Sequence, residues 1–575
     1  MRRILPILDW LPSYNRGALM GDLTAGATVG VMLVPQGMAY AILAGLPPVY
    51  GLYAGLVPLI AYAVFGSSRH LAFGIMAIDC LIVLAAVSLL ATPGSPEYIA
   101  LVLLLTLMVG VIQLLLGSLR FGFVVHLLSR PVITGFTAAA AVIISMSQLK
   151  GLLGIAMPRQ TDVISMLGAA AGGAGDIHML TLGIGVAGML LLFALRTWAP
   201  RVPGALVAVV LSTLGVWWFR LDLQGVDTVG IIPSGFPEFG LPDLDFEAFR
   251  VLVPTAVTLS LVQFMNVISI GKVFSARHGY RVDPNRELNA MGAANILGSL
   301  FQAVPGSGSF SRSAVGEGAG ARSPMSNLVA AGVIALTMAF LTPLFFYLPT
   351  PIFAAIIIMA AISLLDIREI RFLLRTKRVD GIIALVTFAA TLVLGIQQGI
   401  LTGISLSVVA IMARIGRPHI AVLGLIPGTQ TFRDPANHPE ARPVKDILLM
   451  RMDASFSFVN AERLRDAIID EVAGQEYRAV VIDAQSINDL DTTALAVLAE
   501  LHETLAARDI ALAVGGVKES VMRVVRESGL DIQMGPGHFY ISPFDAVQAF
   551  LHEWGAPLLP VGLGGEPPQR TTRLD

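Results

Sequence analysis

Between Asp22 and Arg69 the chain carries no Asp, Glu, Lys or Arg at all. A helix that crosses a bilayer needs about 20 consecutive apolar residues, so this stretch holds two of them. Pro47 and Pro48 mark the turn between. The same character extends over most of the chain, which is 55% hydrophobic and only 14% charged, with a mean hydropathy of +0.75. Soluble domains average about 25% charged residues, and a soluble chain of this balance could not cover its own surface. The expectation is a polytopic α-helical membrane protein, with the lipid bilayer as its first partner. A formal net charge of −2 gives no basis for nucleic-acid binding. The single cysteine, Cys80, excludes an intrachain disulfide framework and a Cys-rich zinc site, and reads as a small core residue. No metal or other cofactor is called for. The opening MRRILPILDW is interrupted by Pro6 and Asp9, which argues against a cleavable signal; residues 1–21 read as a cytoplasmic lead-in.

Further apolar spans fall at 74–92, 97–117, 131–149, 177–197 and 203–219. A second series falls at 251–271, 287–303, 309–318, 324–347, 350–365, 379–397 and 399–416. Together they make about fourteen spans, two of them too short or too broken for ordinary helices. Basic residues precede the first span and follow the fourth, sixth, eighth and twelfth: Arg16, Arg120, Arg130, Arg196, Arg201, Arg277, Arg281 and Arg368 are among them. If the spans alternate, all lie on one side, and the positive-inside rule makes that side the cytoplasm. An even count leaves both termini inside. The longest loop, 220–250, is acidic and lies opposite.

After Arg417 the pattern changes. Short apolar runs at 445–452, 479–483 and 510–514 alternate with helix-like stretches at 461–472, 492–506, 519–528 and 542–552. Strands alternating with helices indicate a small α/β domain. The organisation expected is a transmembrane transport domain over 22–417, a cytoplasmic domain over 436–556, and a Pro/Gly-rich disordered tail over 557–575.

The run PGSGSFSRSAVGEGAG, 305–320, interrupts the apolar sequence with Gly, Ser and one arginine. Irregular backbone at membrane depth is tolerated only where protein buries it or where it lines a watery cavity. An arginine there is costly and marks a functional site. A plain loop or a nucleotide loop are the alternatives; the latter lacks the Gly-Lys-Ser/Thr that holds phosphate and magnesium. A second broken element, SSRHLAFGIMAID at 67–79, occupies the third span of the first half, as 305–317 does in the second. This correspondence suggests inverted repeats whose half-helix N-termini point at an anion near the midplane. Free N–H groups and the helix dipole make each onset an anion site.

At AGATVGVMLVPQGMAYAILAGLPPVYGLY (25–53) the chain resembles the opening signature of the sulfate permease-type (SulP) solute-carrier anion transporter family. SRPVITGFTAAAAVIISMSQLKGLLG (129–154) and GSFSRSAVGEGAGAR (308–322) are similar to two further motifs of that family, in the same order. AVVIDAQSINDLDTTALAVL (479–498) looks like a STAS domain. The resemblance implies a fourteen-helix fold of 7+7 inverted repeats with core and gate bundles, elevator-type transport, and a homodimer. It puts the substrate pocket on Gln36 and Tyr40 of the first span, Met76 and Ala77 of the third, and Ser311 and Arg312 of the tenth. Those residue types suit an oxyanion: an amide N–H from Gln36, a hydroxyl from Ser311, a backbone N–H at Ala77 and the charge of Arg312. Gln36 and Tyr40 also suit interhelical hydrogen bonding in lipid.

Two departures stand out. Where the family often has a carboxylate on the eighth span, FMNVISI (264–270) has Asn266; where the third span often reads Gly-Pro-x-Ala, GIMAIDC (74–80) carries Asp79. Asp79 and Asn266 are the ion-coupling candidates, with Asp79 replacing the lost acid as a proton or cation site. The alternative is that Asp79 pairs permanently with Arg312 or caps a backbone group. Glu317 is expected to pair with Arg322 or a loop base, since a carboxylate at a helix C-terminus is unfavourable alone. In the STAS-like domain Thr492 follows Asp491 at a helix start; related regulators are phosphorylated at such a position, and an ordinary N-cap is the competing reading.

The function expected is secondary active transport of a small inorganic oxyanion, sulfate first, coupled to a proton or sodium ion. Bicarbonate or a C4-dicarboxylate is the alternative substrate, and an anion sensor signalling through the STAS domain to a cytoplasmic protein partner is the alternative class. A nucleobase carrier fits less well, because Asn266 and Ser311 occupy the places of its carboxylates. No catalytic cluster argues for an enzyme.

Overall fold

A computed structural model describes residues 6–122, 129–155, 163–199, 202–231, 235–243, 245–362, 365–535 and 537–559. The tail expected over 557–575 lies largely outside the described residues, as do Arg2, Arg3 and Arg201. The chain divides into two compact units, Met1–Ser407 and Val408–Asp575.

The helices of the first unit, with the one that leads out of it, follow the apolar spans. They are α1 Arg16–Leu43, α2 Val57–Phe65, α3 Ala77–Val87, α4 Pro96–Ser118, α5 Arg130–Ser147, α6 Met179–Trp198 and α7 Gly204–Phe219. The second series is α8 Phe246–His278, α9 Pro284–Leu300, α10 Phe310–Gly318, α11 Met325–Leu336, α12 Thr350–Ile362, α13 Arg378–Leu394 and α14 Ile396–Gly416. Among the described residues eight helices are long and apolar enough to cross a membrane unaided. The helix starts carry the expected signals. Asn15 accepts a hydrogen bond from Ala18 N at 2.8 Å, and Ser95 one from Tyr98 N at 3.1 Å with Pro96 in the first turn.

Two spans are only half helical. Strand β1, Ala72–Ile75, leads into α3, and β2, Gly306–Ser309, into α10. α10 has nine residues, about 14 Å of rise, less than half the hydrocarbon thickness. The two strands pair antiparallel, with Ala72 opposite Ser309 and Ile75 opposite Gly306. Each strand thus satisfies the backbone groups of the other, which lipid could not do.

The packing repeats with an offset of seven helices. α1 lies against α11 as α8 lies against α4; α2 against α11 as α9 against α4; and α5 against α13 as α12 against α6. The α2–α9 and α5–α12 contacts map onto themselves. A single chain gives this pattern when its two halves are interlocked inverted repeats. Helices α1–α4 and α8–α11 form the core bundle, and α5–α7 with α12–α14 the gate.

Close approach of α4 and α9 depends on glycine. A Cβ on Gly292 would lie 2.6 Å from Leu114 N, and one on Gly110 would lie 2.7 Å from Ile296 N. These contacts bring Gln113 and Asn295, each three residues further on, face to face.

The second unit holds a five-stranded sheet in the order β3–β4–β5–β6–β7. The strands are β3 Ile420–Val422, β4 Ile447–Met452, β5 Ala479–Asp483, β6 Ala511–Gly515 and β7 Phe539–Tyr540. β3 joins antiparallel and the other pairings are parallel. Helices α15 Ala461–Gly474, α16 Thr492–Ala506, α17 Glu519–Ser528 and α18 Pro543–Glu553 alternate with them. One apolar core lies on each face of the sheet: Leu448, Val480, Ile482 and Leu512 head one, and Leu449, Val481, Ala513 and Phe544 the other. A parallel sheet covered on both faces explains the continuous apolar runs. The edge strands β3 and β7 are too short to leave a readable run.

Gly292→Ala is expected to lower the thermal midpoint of the purified protein, at a cost of roughly 1–3 kcal/mol from overpacking. Thermal unfolding followed by size-exclusion chromatography measures it.

Candidate functional site

The β1–β2 pair aims the N-termini of α3 and α10 at one place. Met76, the N-cap of α3, supplies no side-chain acceptor, so the first N–H groups of that helix have none. At α10 the cap is Ser309, whose Oγ accepts from Arg312 N at 3.4 Å. Gly74 has φ +140°, a conformation that L side chains rarely adopt, and a Cβ there would lie 3.4 Å from Arg312 Nη2. The strand therefore needs glycine where the arginine passes.

Arg312 is almost fully enclosed, at 1% exposure. Its Nη2 donates to the Ile75 carbonyl at 3.0 Å and lies 3.9 Å from Met76 Sδ. Its Nε is buried with no partner, and among the described residues no carboxylate lies within ion-pair distance. The alternative reading of a permanent Asp79–Arg312 pair does not hold in this geometry. Asp79, also fully buried, accepts at Oδ2 from Ser307 Oγ at 2.7 Å and from Gln263 Nε2 at 3.0 Å. Its Oδ1 has no partner. Two neutral donors satisfy one oxygen, so the carboxyl stays clear of the guanidinium while remaining within its electrostatic reach.

The sequence-derived site residues thus fall into groups. Met76, Ala77, Asp79 and Arg312 converge where β1 and β2 end. Tyr40 is buried on α1 within the field of Arg312, and Gln36 sits one turn before it with a buried, unpartnered Oε1. Pro35 leaves the Val31 carbonyl without its helical donor at this level. Ser311 is exposed, its Oγ 3.3 Å from Ser309 Oγ. Asn266 does not reach Asp79. It lines an apolar crevice with Ile78, Val132, Phe136, Thr137 and Ile400, and Gln263, one turn earlier on α8, makes the contact instead.

Several residues were missed. Gln113, Gln263 and Asn295 form a buried hydrogen-bonded cluster beside Asp79. Glu287, fully buried, accepts from Tyr62 OH at 2.6 Å, Ser67 N at 2.8 Å, Ser67 Oγ at 2.5 Å and Ser68 N at 2.8 Å. It moors the loop before β1 to α9. Asp22 does the same for the loop after α10, accepting from Arg322 N at 2.6 Å, Ser323 N at 3.1 Å and Ser323 Oγ at 2.5 Å. Each is a polar residue inside or at the edge of an apolar span, which was the signal available. Glu317 pairs with Arg277 at 3.1 Å and His278 at 2.8 Å rather than with Arg322.

In the second unit Asp491 caps α16, accepting from Ala494 N at 2.9 Å, and also accepts from Phe458 N at 2.7 Å. Thr492 is exposed in the first turn. Nearby, burial pushes the Asp483 carboxyl above its ordinary range, opposed by a hydrogen bond from Gln485 N. Asp491→Ala is expected to destabilise this domain by about 1–2 kcal/mol through loss of the cap. Thr492→Ala should change little; chemical denaturation followed by domain-specific fluorescence compares the two.

The description "Sulfate permease family" matches residues 19–387, and "STAS domain" matches 438–542. Sulfate transporter 4.1, chloroplastic, of Arabidopsis thaliana is 35% identical over 568 residues, covering 95% of this chain and 82% of the relative. A probable sulfate transporter of Mycobacterium tuberculosis is 36% identical over 540 residues, covering 93% and 96%. Among solved structures, the murine Solute Carrier 26 family member A9 anion transporter in its inward-facing state superposes with a TM-score of 0.89 at 24% identity, covering 96% of this chain and 94% of that one. The transmembrane domain of a cyanobacterium bicarbonate transporter gives 0.60 at 22%, covering 68% and 98%. The crossed half-helices, the multi-pass helical unit and the appended α/β domain therefore have one common explanation: the chain belongs to the sulfate permease family.

Proposed function

We propose that this protein carries a small oxyanion, sulfate first, across a membrane by secondary active transport coupled to a proton at Asp79. The observation that carries the reading is the meeting of α3 and α10 beside an enclosed arginine with no acidic partner. Each helix N-terminus contributes roughly half a positive charge, and Arg312 a whole one, so the site offers about two positive charges. A divalent oxyanion balances that sum when Asp79 is neutral. Ionised Asp79 would leave about one positive charge, which suits a monovalent anion. Protonation and sulfate occupancy thus favour each other, as a symporter requires. Relatives named sulfate transporters support the same substrate.

A proton fits Asp79 better than sodium does. Oδ2 already faces two donors, which repel a cation, and Oδ1 alone, though buried, has no partner. Gln36, Tyr40, Met76, Ala77 and Ser311 complete the pocket in this reading, and Asn266 lines the crevice beside it. Motion of the core bundle against the gate supplies alternating access as an elevator. The basic residues put both termini in the cytoplasm. A homodimer, and a cytoplasmic partner engaged through the STAS domain, belong to the same reading. Bicarbonate is the second substrate reading, favoured by the charge balance with Asp79 ionised.

In proteoliposomes, uptake of labelled sulfate should follow an inward proton gradient and ignore a sodium gradient. Bicarbonate, chloride and succinate, tested as competitors, rank the alternatives. Arg312→Gln should reduce uptake at least about tenfold, the loss of one charge-assisted contact. Asp79→Asn should retain sulfate binding but lose the pH dependence of uptake. An unaltered pH dependence in that variant would sink the coupling, and binding without flux in the wild type would favour a sensor.

A further inference from the structure

Beside Asp79, three buried amides form a chain whose direction is fixed by bookkeeping of donors and acceptors. It starts at the backbone of β2. Gly306 N can only donate, and it donates to Asn295 Oδ1 at 2.9 Å. The amide nitrogen of Asn295 must then point the other way, and Nδ2 donates to Gln113 Oε1 at 2.9 Å. It also approaches Gln263 Oε1 and the Gly306 carbonyl, each at 3.3 Å. With its oxygen so occupied, Gln113 donates through Nε2 to Gln263 Oε1 at 2.8 Å. Gln263 is left to donate through Nε2 to Asp79 Oδ2 at 3.0 Å. Every link is fully buried, so each amide needs its partners among the others. Turning one amide over would set oxygen against oxygen on one side and N–H against N–H on the other. The chain is therefore polarised from a main-chain N–H to a carboxylate, and Ser307 Oγ reinforces its end at 2.7 Å.

We propose that Gln113, Gln263 and Asn295 are positioning residues for proton exchange at Asp79: locked in one direction by the Gly306 N–H, they hold Oδ2 as an acceptor and leave Oδ1 as the atom that takes and releases the proton. This rests on the reading of Asp79 as the proton-carrying group. A proton arriving from water adds to Oδ1 and gives a neutral carboxyl; it leaves from the same atom to water. Because both donors favour the ionised form, the chain also helps to expel the proton again. The other charged and titratable groups that act on Asp79 are Arg312 on α10 and Cys80 beside it on α3, and Tyr40 on α1 lies within reach of both of these. From α8 it meets Gln263, which in turn meets Gln113 of α4. The charged residues of α4, α5 and α8 described here, among them Glu97, Arg130, Glu247, Lys272 and Arg277, stand towards the ends of those helices.

The test is a titration of the Asp79 carboxyl itself. Infrared spectra of full-length protein carrying side-chain carbon-13 aspartate, less the spectrum of Asp79→Asn, isolate its protonated C=O band. Gln263→Met removes the donor to Oδ2, and the band should persist upward by about one to two pH units, the worth of a hydrogen bond to a charged group. Gln113→Met touches neither Asp79 nor the pocket, yet removes the shorter of the two donors that hold Gln263 Oε1, leaving only the 3.3 Å approach of Asn295 Nδ2 to fix that amide. It should shift the band in the same direction by about half a unit. The pH profile of sulfate uptake should move with the band in both variants. A Gln113→Met titration that coincides with wild type overturns the polarised chain, even if Gln263→Met shifts. If Gln113→Met does not fold, Gln113→Asn, whose amide is too short to reach Gln263, takes its place. The two readings fail separately. A band that shifts as expected, with uptake indifferent to Asp79→Asn, removes the coupling and leaves the positioning; an Asp79 band that never titrates removes both.

Discussion

Four residues of β1 hydrogen-bonded to four residues of β2 are the constraint on which the rest of the transport unit depends. An extended strand inside a bilayer has no water to satisfy it, and a lone one would be too costly to form. Each strand here is the partner of the other, although 228 positions separate Asp79 from Ser307, the residues that bond across the crossing. Neither half of the sequence can build its own broken span. The interlocking of the two repeats follows from this: α1 must reach α11 and α8 must reach α4 for the strands to meet. The helix ends that remain unsatisfied after pairing are the ones that the proposed reading turns towards an anion.

Around that crossing, polar groups are arranged by what they donate rather than by how much charge they carry. Asp22 and Glu287 sit with no cation among their hydrogen-bond donors, each neutralised by backbone N–H and hydroxyl groups of a loop. They fasten the outer ends of the two broken spans to α1 and α9. Asp79 is treated in the same manner at the inner end. Distributing these acids over neutral donors keeps Arg312, the one enclosed Arg or Lys among the described residues, free of an ion pair. A salt bridge to Arg312 would compete with the anion that the proposed function brings to it.

Much of this was legible in the chain. Apolar spans gave helix positions to within a few residues, because lipid leaves the backbone few alternatives. The Gly/Ser run beginning at Pro305 and its counterpart before Asp79 announced the broken spans. β4, β5 and β6 were readable because burial on both faces makes continuous apolar runs. What escaped was pairing. Nothing local to Gln113, Gln263 or Asn295 says that they meet, since α4, α8 and α9 are brought together only by the fold. Asn266 was singled out by its position in a motif and Gln263 went unread, yet a difference of three residues along α8 decides which amide reaches Asp79. The alternative of a permanent Asp79–Arg312 pair failed for a related reason: opposite charges brought to the same crossing had neutral partners closer in space.

The anchor of Arg312 is a main-chain carbonyl, that of Ile75. A carbonyl orients a guanidinium without cancelling its charge, so the field at the crossing survives the fixing of its source. It also belongs to no side chain. Had an aspartate held the arginine, one nucleotide change could have released it; here every amino acid at position 75 would present the same oxygen. The cation's place is inherited with the shape of the strand, and genetic drift can retune the pocket's walls around it without ever losing the charge's address.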